Sequence, residues 1–220
     1  MPEAQYQDPI KHIQEVGVEK LGYMTSWCWH DDPRRLGFVL SRYKFVAKML
    51  EGLDSVLEVG CGDGFASRVV RQAVTSLVGI DFDPAFINNA KENQSSHWPI
   101  TFVEHDILAK PYPQQFDGIY SLDVMEHIAK DKEDSYIQNI LKSLKDYGVL
   151  IIGMPSLQSQ AYGNEQSKQG HVNCKDHAEL KATFKRYFHQ VFLFSMNDEV
   201  VHTGFGPMAH YLIVVCCGKK

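Results

Sequence analysis

No run of Lys or Arg longer than a pair such as Arg34-Arg35 occurs in this 220-residue chain, whose formal net charge is -5. That leaves no electrostatic footprint for a phosphate backbone, so nucleic acid is not an expected partner. CxxC pairs are also missing. The five cysteines (Cys28, Cys61, Cys174, Cys216, Cys217) are odd in number and suit free thiols in a reducing compartment rather than a disulfide frame. Long apolar runs are absent too, since the most apolar stretch, Tyr211 to Cys217, is only strand-sized, and nothing resembles a signal segment. A cytoplasmic protein without membrane insertion is expected. With no repeat, no low-complexity segment and no Pro/Gly/Ser-rich or charged linker, the chain reads as one domain over 1–220. Its expected parts are a helical cap at 1–50, a ligand-binding core at 51–153, and a substrate-side loop, helix and terminal hairpin at 154–220.

What is present begins with VLEVGCGDGFASRVV at residues 56–70. Val56, Leu57 and Val59 surround the Glu58 carboxylate as a strand, and Gly60, Gly62 and Gly64 follow at once, ahead of a helical pattern. Glycines suit a turn this sharp, which needs positive φ and lets a ligand approach the backbone. The order is GxGxG; a dinucleotide fingerprint would place glycine where this chain has Phe65.

Downstream, strands and helices alternate. Ser76–Ile80, Ile100–Glu104, Phe116–Leu122 and Val149–Gly153 read as strands. Asp83-Pro84 opens a helix running to about Asn93, and Lys132–Lys145 carries a helical apolar stripe at Ile137, Ile140, Leu141 and Leu144. This rhythm predicts a parallel sheet with helices on both faces and ligands at the strands' carboxyl ends. The last fifth departs from it. Gln190–Met196 and Ala209–Cys217 leave no room for a crossover helix, so they must pair antiparallel across a Gly-rich loop.

LEVGCGDG resembles the first signature of class I methyltransferases that use S-adenosylmethionine (SAM). IDFDPAFINNA, EHDI and FDGIYSLDVMEHI resemble the second, third and fourth, in order, over residues 56–128. Within that superfamily, SLDVMEHI is similar to ubiquinone-pathway and related small-molecule O-methyltransferases, and DPRRL resembles an upstream Pro-x-Arg-Leu element of some of them. The resemblance implies a Rossmann-like α/β fold, a mostly parallel seven-stranded sheet with a C-terminal antiparallel hairpin, and SAM as cofactor.

Each part of SAM then needs a partner. The backbone at Gly60, Gly62 and Gly64 can approach the methionine end, and Glu58 can reach toward its ammonium. Asp81 is placed as a two-oxygen acceptor for the ribose hydroxyls, a task that dinucleotide sites also assign to a carboxylate. In the family's pattern Asp106 accepts from the adenine amino group, Ile107 and Phe82 line the base, and the backbone of Ser121 and Leu122 flanks the methionine end. Arg35 can form a fork on the SAM carboxylate or sit on a solvated helix face. TSWCWHDD reads as an aromatic loop, either core or a lid built on Trp27, Trp29 and His30.

Methyl transfer requires alignment, exclusion of water and removal of the acceptor's proton. A histidine suits the last task. His171, in the long segment after the fifth strand, is the first candidate base. His127 in MEHI is a second, with support of the neighbouring loop as its other reading. His171, Cys174 and His177 stand at three-residue intervals, but Asp176 reads as a helix cap there and no metal is expected. The Asn/Asp-Pro-Pro-aromatic element of base-directed amino-group methyltransferases is lacking, as is a Pro-Cys nucleophile. A small-molecule acceptor is therefore expected, with a hydroxyl on a sugar, sugar nucleotide, quinone precursor or lipid-linked intermediate favoured over nitrogen or carbon. A binding protein that keeps SAM without chemistry and a nicotinamide-dependent oxidoreductase are the alternatives. The sequence does not reveal an oligomeric state.

Overall fold

The computed structural model describes residues 3–220. Three helices lead in, α1 (Ala4–Val16), α2 (Tyr23–Asp31) and α3 (Arg34–Met49). The alternating core follows as β1 (Ser55–Val59), α4 (Ser67–Arg71), β2 (Ser76–Asp81), α5 (Pro84–Glu92), β3 (Thr101–Glu104), β4 (Phe116–Leu122), α6 (Glu133–Lys142) and β5 (Leu144–Pro155). The C-terminal part contains α7 (Glu165–Gly170), α8 (His177–Lys185), β6 (Phe188–Asn197), β7 (Val200–His202) and β8 (Tyr211–Lys219). No helix among the described residues is long and apolar enough to cross a membrane.

The strands form one sheet in the order β3-β2-β1-β4-β5-β8-β6-β7. β1 to β5 pair in parallel, β8 lies antiparallel between β5 and β6, and β7 pairs antiparallel with β6. After β3 the chain crosses to the far side of β1, and such a reversal opens a crevice at the strands' carboxyl ends. Alternation along each strand feeds a core on both faces. Leu57, Val59, Ile119 and Ile152 pack with α6 and α8 residues such as Ile137, Ile140 and Phe184, while Val56, Tyr120 and Ile151 pack with Val46 and Leu50 at α3. This alternation turns Glu58 toward α3, where Tyr43 meets it.

The sheet has eight strands rather than seven. Asp198 adopts a left-handed conformation (φ 49°), so the chain turns back after Asn197 and adds β7 at the edge before the Gly-rich loop begins. The helix expected over Lys132–Lys145 ends at Lys142, because Leu144 already pairs with Phe116. A register shift between Phe116 and Gly118 then precedes the Gly118–Val149 pair. TSWCWHDD is helical, as part of α2, and not a loop. Its amide groups are capped from elsewhere in the chain: Thr25 donates to Asp63 at 2.8 Å and Tyr23 to Asn89 at 2.9 Å. Gly22 allows that approach, since a Cβ there would collide with the Asp63 carboxyl group. Trp27 and Trp29 belong to neither core, being 51% and 55% exposed.

Two local predictions are matched closely. Asp83 caps α5 by accepting from Ala85 at 2.8 Å, with Pro84 in the first turn. Asp176 and Glu179 form a reciprocal capping box at α8. The segment between β5 and α8 holds a short 3-10 turn (Gln158–Tyr162) and α7, and is closed by a bridge between Ser156 and Lys175.

Candidate active site

The glycine turn hangs from the end of β2. Gly60 and Cys61 donate to the Ile80 carbonyl at 2.8 and 3.0 Å, Gly62 to Asp81 Oδ2 at 3.1 Å, and Gly64 to the Cys61 carbonyl at 3.0 Å. The glycines serve different ends. A Cβ at Gly60 would drive into Val124, whereas at Gly62 (φ 53°) it would meet nothing within 4 Å. Gly62 is thus the open side of the turn, where a ligand can lie against bare backbone. Asp81 takes a second amide, that of Asp83, on Oδ1 at 3.0 Å, so both carboxylate oxygens are oriented and keep lone pairs to spare.

Glu58 is 1% exposed, accepts the Tyr43 hydroxyl at 2.7 Å on Oε1, and has no hydrogen-bond partner for Oε2 among the described residues. Burial pushes its carboxyl up to about 7, against the pull of its hydrogen bonds. A raised folded-state pKa stabilises the fold below the ordinary value of 4.5, and that contribution is lost as pH rises toward 7, up to about 3 kcal/mol. Glu58→Gln keeps an acceptor for Tyr43. Thermal melts from pH 4 to 8 should therefore show the native protein losing stability across this window and the variant losing much less; parallel curves would refute the assignment.

Beside Asp81 on the neighbouring strand end, Asp106 is exposed and accepts from Leu108 at 2.8 Å, Ile107 is buried, and Phe82 is 72% exposed. The two strand ends are tied by the His105 amide donating to the Asp81 carbonyl at 2.9 Å. Ser121 turns its hydroxyl inward, donating to the Val59 carbonyl at 2.8 Å and accepting from Tyr136 at 2.7 Å. Only its backbone, like that of buried Leu122, is left to face a ligand. Arg35 pairs with Asp31 at 3.2 Å on the surface.

Past β4, Asp123 has a left-handed backbone (φ 57°) and holds Arg42 through both carboxylate oxygens at 2.8 and 2.9 Å. Arg42 also lies over the Tyr211 ring at 3.8 Å. A 3-10 turn at Met125–His127 then presents Glu126 and His127. His127 Nδ1 faces the Gly170 carbonyl at 2.9 Å and His171 Nδ1 faces Gln160 Oε1 at 2.8 Å. Both partners are acceptors, so each Nδ1 carries a proton. The two rings stand 5.0 Å apart. Burial, then His127, lower the His171 pKa, which favours its neutral form. Glu126 is buried, with neither carboxylate oxygen hydrogen-bonded among the described residues, and its pKa is raised, first by burial and then by Asp123.

Residues 56–148 match a family model described as a methyltransferase domain. The chain is 33% identical over 101 residues to phosphoethanolamine N-methyltransferase of Plasmodium falciparum (isolate 3D7), covering 45% of this chain and 38% of that protein. It is 27% identical over 137 residues to ubiquinone biosynthesis O-methyltransferase of Pseudomonas fluorescens (strain SBW25), covering 60% and 56%. N-methyltransferase NodS from Bradyrhizobium japonicum WM9, solved with S-adenosyl-L-homocysteine (SAH), shares the fold at a TM-score of 0.66 and 18% identity, covering 88% of this chain and 92% of that one. These matches support a class I SAM-dependent methyltransferase. The methyltransferase match supports SAM as the cofactor. The matches span 38% and 56% of the two curated relatives' lengths.

Several site neighbours escaped the sequence reading. Asp63 caps α2 and thereby couples that helix to the glycine turn. Arg42 is seven residues, about two turns, beyond Arg35 on the same helix, a spacing that could have flagged it. The histidine–cysteine spacing pointed to the wrong neighbours. Cys174 is buried and its thiol is pushed up to about 12 by that burial, while His177 packs against Gly206 at the head of α8. His171 instead meets Glu126 and His127. One ligand atom from each lies within 4.8 Å of the others, a set whose chemistry could hold a cation.

Proposed function

We propose that the protein transfers a methyl group to a hydroxyl of a small molecule, acting as a single domain over residues 1–220. SAM, when bound, supplies a methyl carbon activated by its sulfonium. Glu58 Oε2 receives the ammonium of the methionine end, Asp81 the ribose hydroxyls and Asp106 the adenine amino group, with Phe82 and Ile107 against the base. The open turn at Gly60 and Gly62 and the backbone of Ser121 and Leu122 bound the methionine end, and Arg35 swings from Asp31 to the carboxylate.

His171 is the base. The observation that carries this reading is the His171 ring beside the loop after β4, 5.0 Å from that of His127, with Nδ1 tied to Gln160 at 2.8 Å. A hydroxyl has to give up its proton to attack, whereas a neutral amine attacks through a lone pair it already has; a base held neutral at the site therefore supports oxygen as the acceptor atom. His127, bonded to Gly170, supports the wall against which His171 stands.

Initial rates of SAH formation, with products identified by mass spectrometry over matched hydroxyl and amine acceptors, test the acceptor class. O-methylated products are expected, and products methylated only on nitrogen would overturn it. His171→Ala should leave SAH affinity within about twofold and lower kcat by roughly 100-fold, the usual reach of a positioned base. Unchanged kcat would make His171 a structural residue.

A further inference from the structure

A cavity of about 290 Å³ opens beside His171, between the end of β5, the Gln158–Tyr162 turn, α7 and the start of β8. Its polar lining is Ser159, Gln160, Tyr162, Ser167, His171 and His210. No Lys, Arg, Asp or Glu is among the lining residues, and the nearby carboxylate of Asp198 stands 3.9 Å from His210. Among the described residues, the pocket thus offers many groups that can donate or accept a hydrogen bond and no Lys or Arg to pair with an anion. Tyr162, 92% exposed, is available as an aromatic face for the C–H side of a ring.

Taking the methyl-transfer reading above as its basis, we propose that this cavity is the acceptor site and that it selects an uncharged, polyhydroxylated single ring, a sugar or cyclitol unit carrying no phosphate or carboxylate. Size, lining and position argue for it separately. The volume is at the low end of the roughly 300–1,000 Å³ typical of ligand pockets, enough for one ring, with any remainder leaving through the open side. Hydroxyls and amides match the alternating donors and acceptors of a polyol, whereas an aryl ring would want apolar walls. A phosphate or carboxylate would lose water with no Lys or Arg to pair with it, and Asp198 beside His210 would repel it. His171 belongs both to the cavity wall and to the cluster with Glu126 and His127, which puts a hydroxyl in the cavity within reach of the base.

The test uses the full chain with SAM. Calorimetric titration with SAH comes first, because failure to bind SAH would sink the methyltransferase reading itself. Given SAH binding, kcat/KM is measured for a set of methyl hexopyranosides, their 6-phosphates, the matching uronides and an aryl diol. At least one neutral hexoside should be methylated with kcat/KM tenfold or more above every charged or aryl counterpart. Preference for a phosphate, a uronide or the aryl diol, or no turnover of any neutral hexoside by SAH-competent protein, would overturn the proposal. Ser167→Lys places a cation in the wall away from the glycine turn. It should leave SAH affinity unchanged and move the phosphate-to-neutral ratio at least tenfold toward the phosphate; an unmoved ratio would show that the acceptor binds elsewhere.

Discussion

Asp81→Ala is expected to weaken SAH binding by roughly 100-fold, or about 3 kcal/mol. Two effects combine. The ribose would lose the two hydrogen bonds proposed for it on this carboxylate, each a charge-assisted contact of about 1.5–3 kcal/mol. The turn would also lose an internal anchor, since Gly62 and Asp83 both donate to this side chain. Asp81→Asn separates these effects, because the amide oxygen can still hold one backbone N–H while bidentate acceptance is lost; an intermediate affinity is expected. Calorimetric titration with SAH, alongside thermal melts to verify folding, gives the answer. Native affinity in a folded Asp81→Ala protein would remove the ribose from this strand end.

The largest effect on stability is expected at Lys175. Its ammonium lies 2.8 Å from Glu133 Oε2, with side chains 10% and 12% exposed, and Asn173 Nδ2 donates to the same oxygen at 2.7 Å. Removing Lys175 would leave Glu133 with only the more exposed Arg186, 3.7 Å from Oε1, as a cation; breaking a buried pair costs about 3–5 kcal/mol, whereas replacing both partners by apolar groups can be nearly neutral. Lys175→Met should therefore lower the melting temperature by roughly 10 °C. The double variant Lys175→Met, Glu133→Met should recover most of that loss. A fall in the single variant of less than about 2 °C would mean that the pair is not desolvated in solution. Because Lys175 closes the segment that carries His171, turnover in the single variant should fall at temperatures where the sheet is still folded.

The contrast between legible and illegible parts follows the range of the interactions. Asp83-Pro84 and Asp176-His177-Ala178-Glu179 announce helix starts because the cap and the amide it serves are two or three residues apart. The glycine turn was legible for a similar reason, as the positive φ at Gly62 is a local demand. α2 was not. Its cap comes from Asp63 and Asn89, 38 and 66 residues from the amides they receive, so a helix with aromatic faces read as a loop. β7 depended on Asp198 taking a left-handed conformation, which aspartate tolerates without advertising.

By itself, the sequence determined the order of strands and helices through the alternating core, the sharp turn after β1, and the placing of Glu58, Asp81 and Asp106 at or just past strand ends, because periodicity and turn chemistry act between near neighbours. Only the tertiary structure decided which distant groups share a site. It brought His171 to Glu126 and His127 across more than forty residues, put Arg42 between Asp123 and Tyr211, and tied α2 to the glycine turn. Those pairings depend on how the sheet's crossover and terminal strands bring separate loops to one edge, and the spacing of residues along a chain does not encode the distance between loops in space.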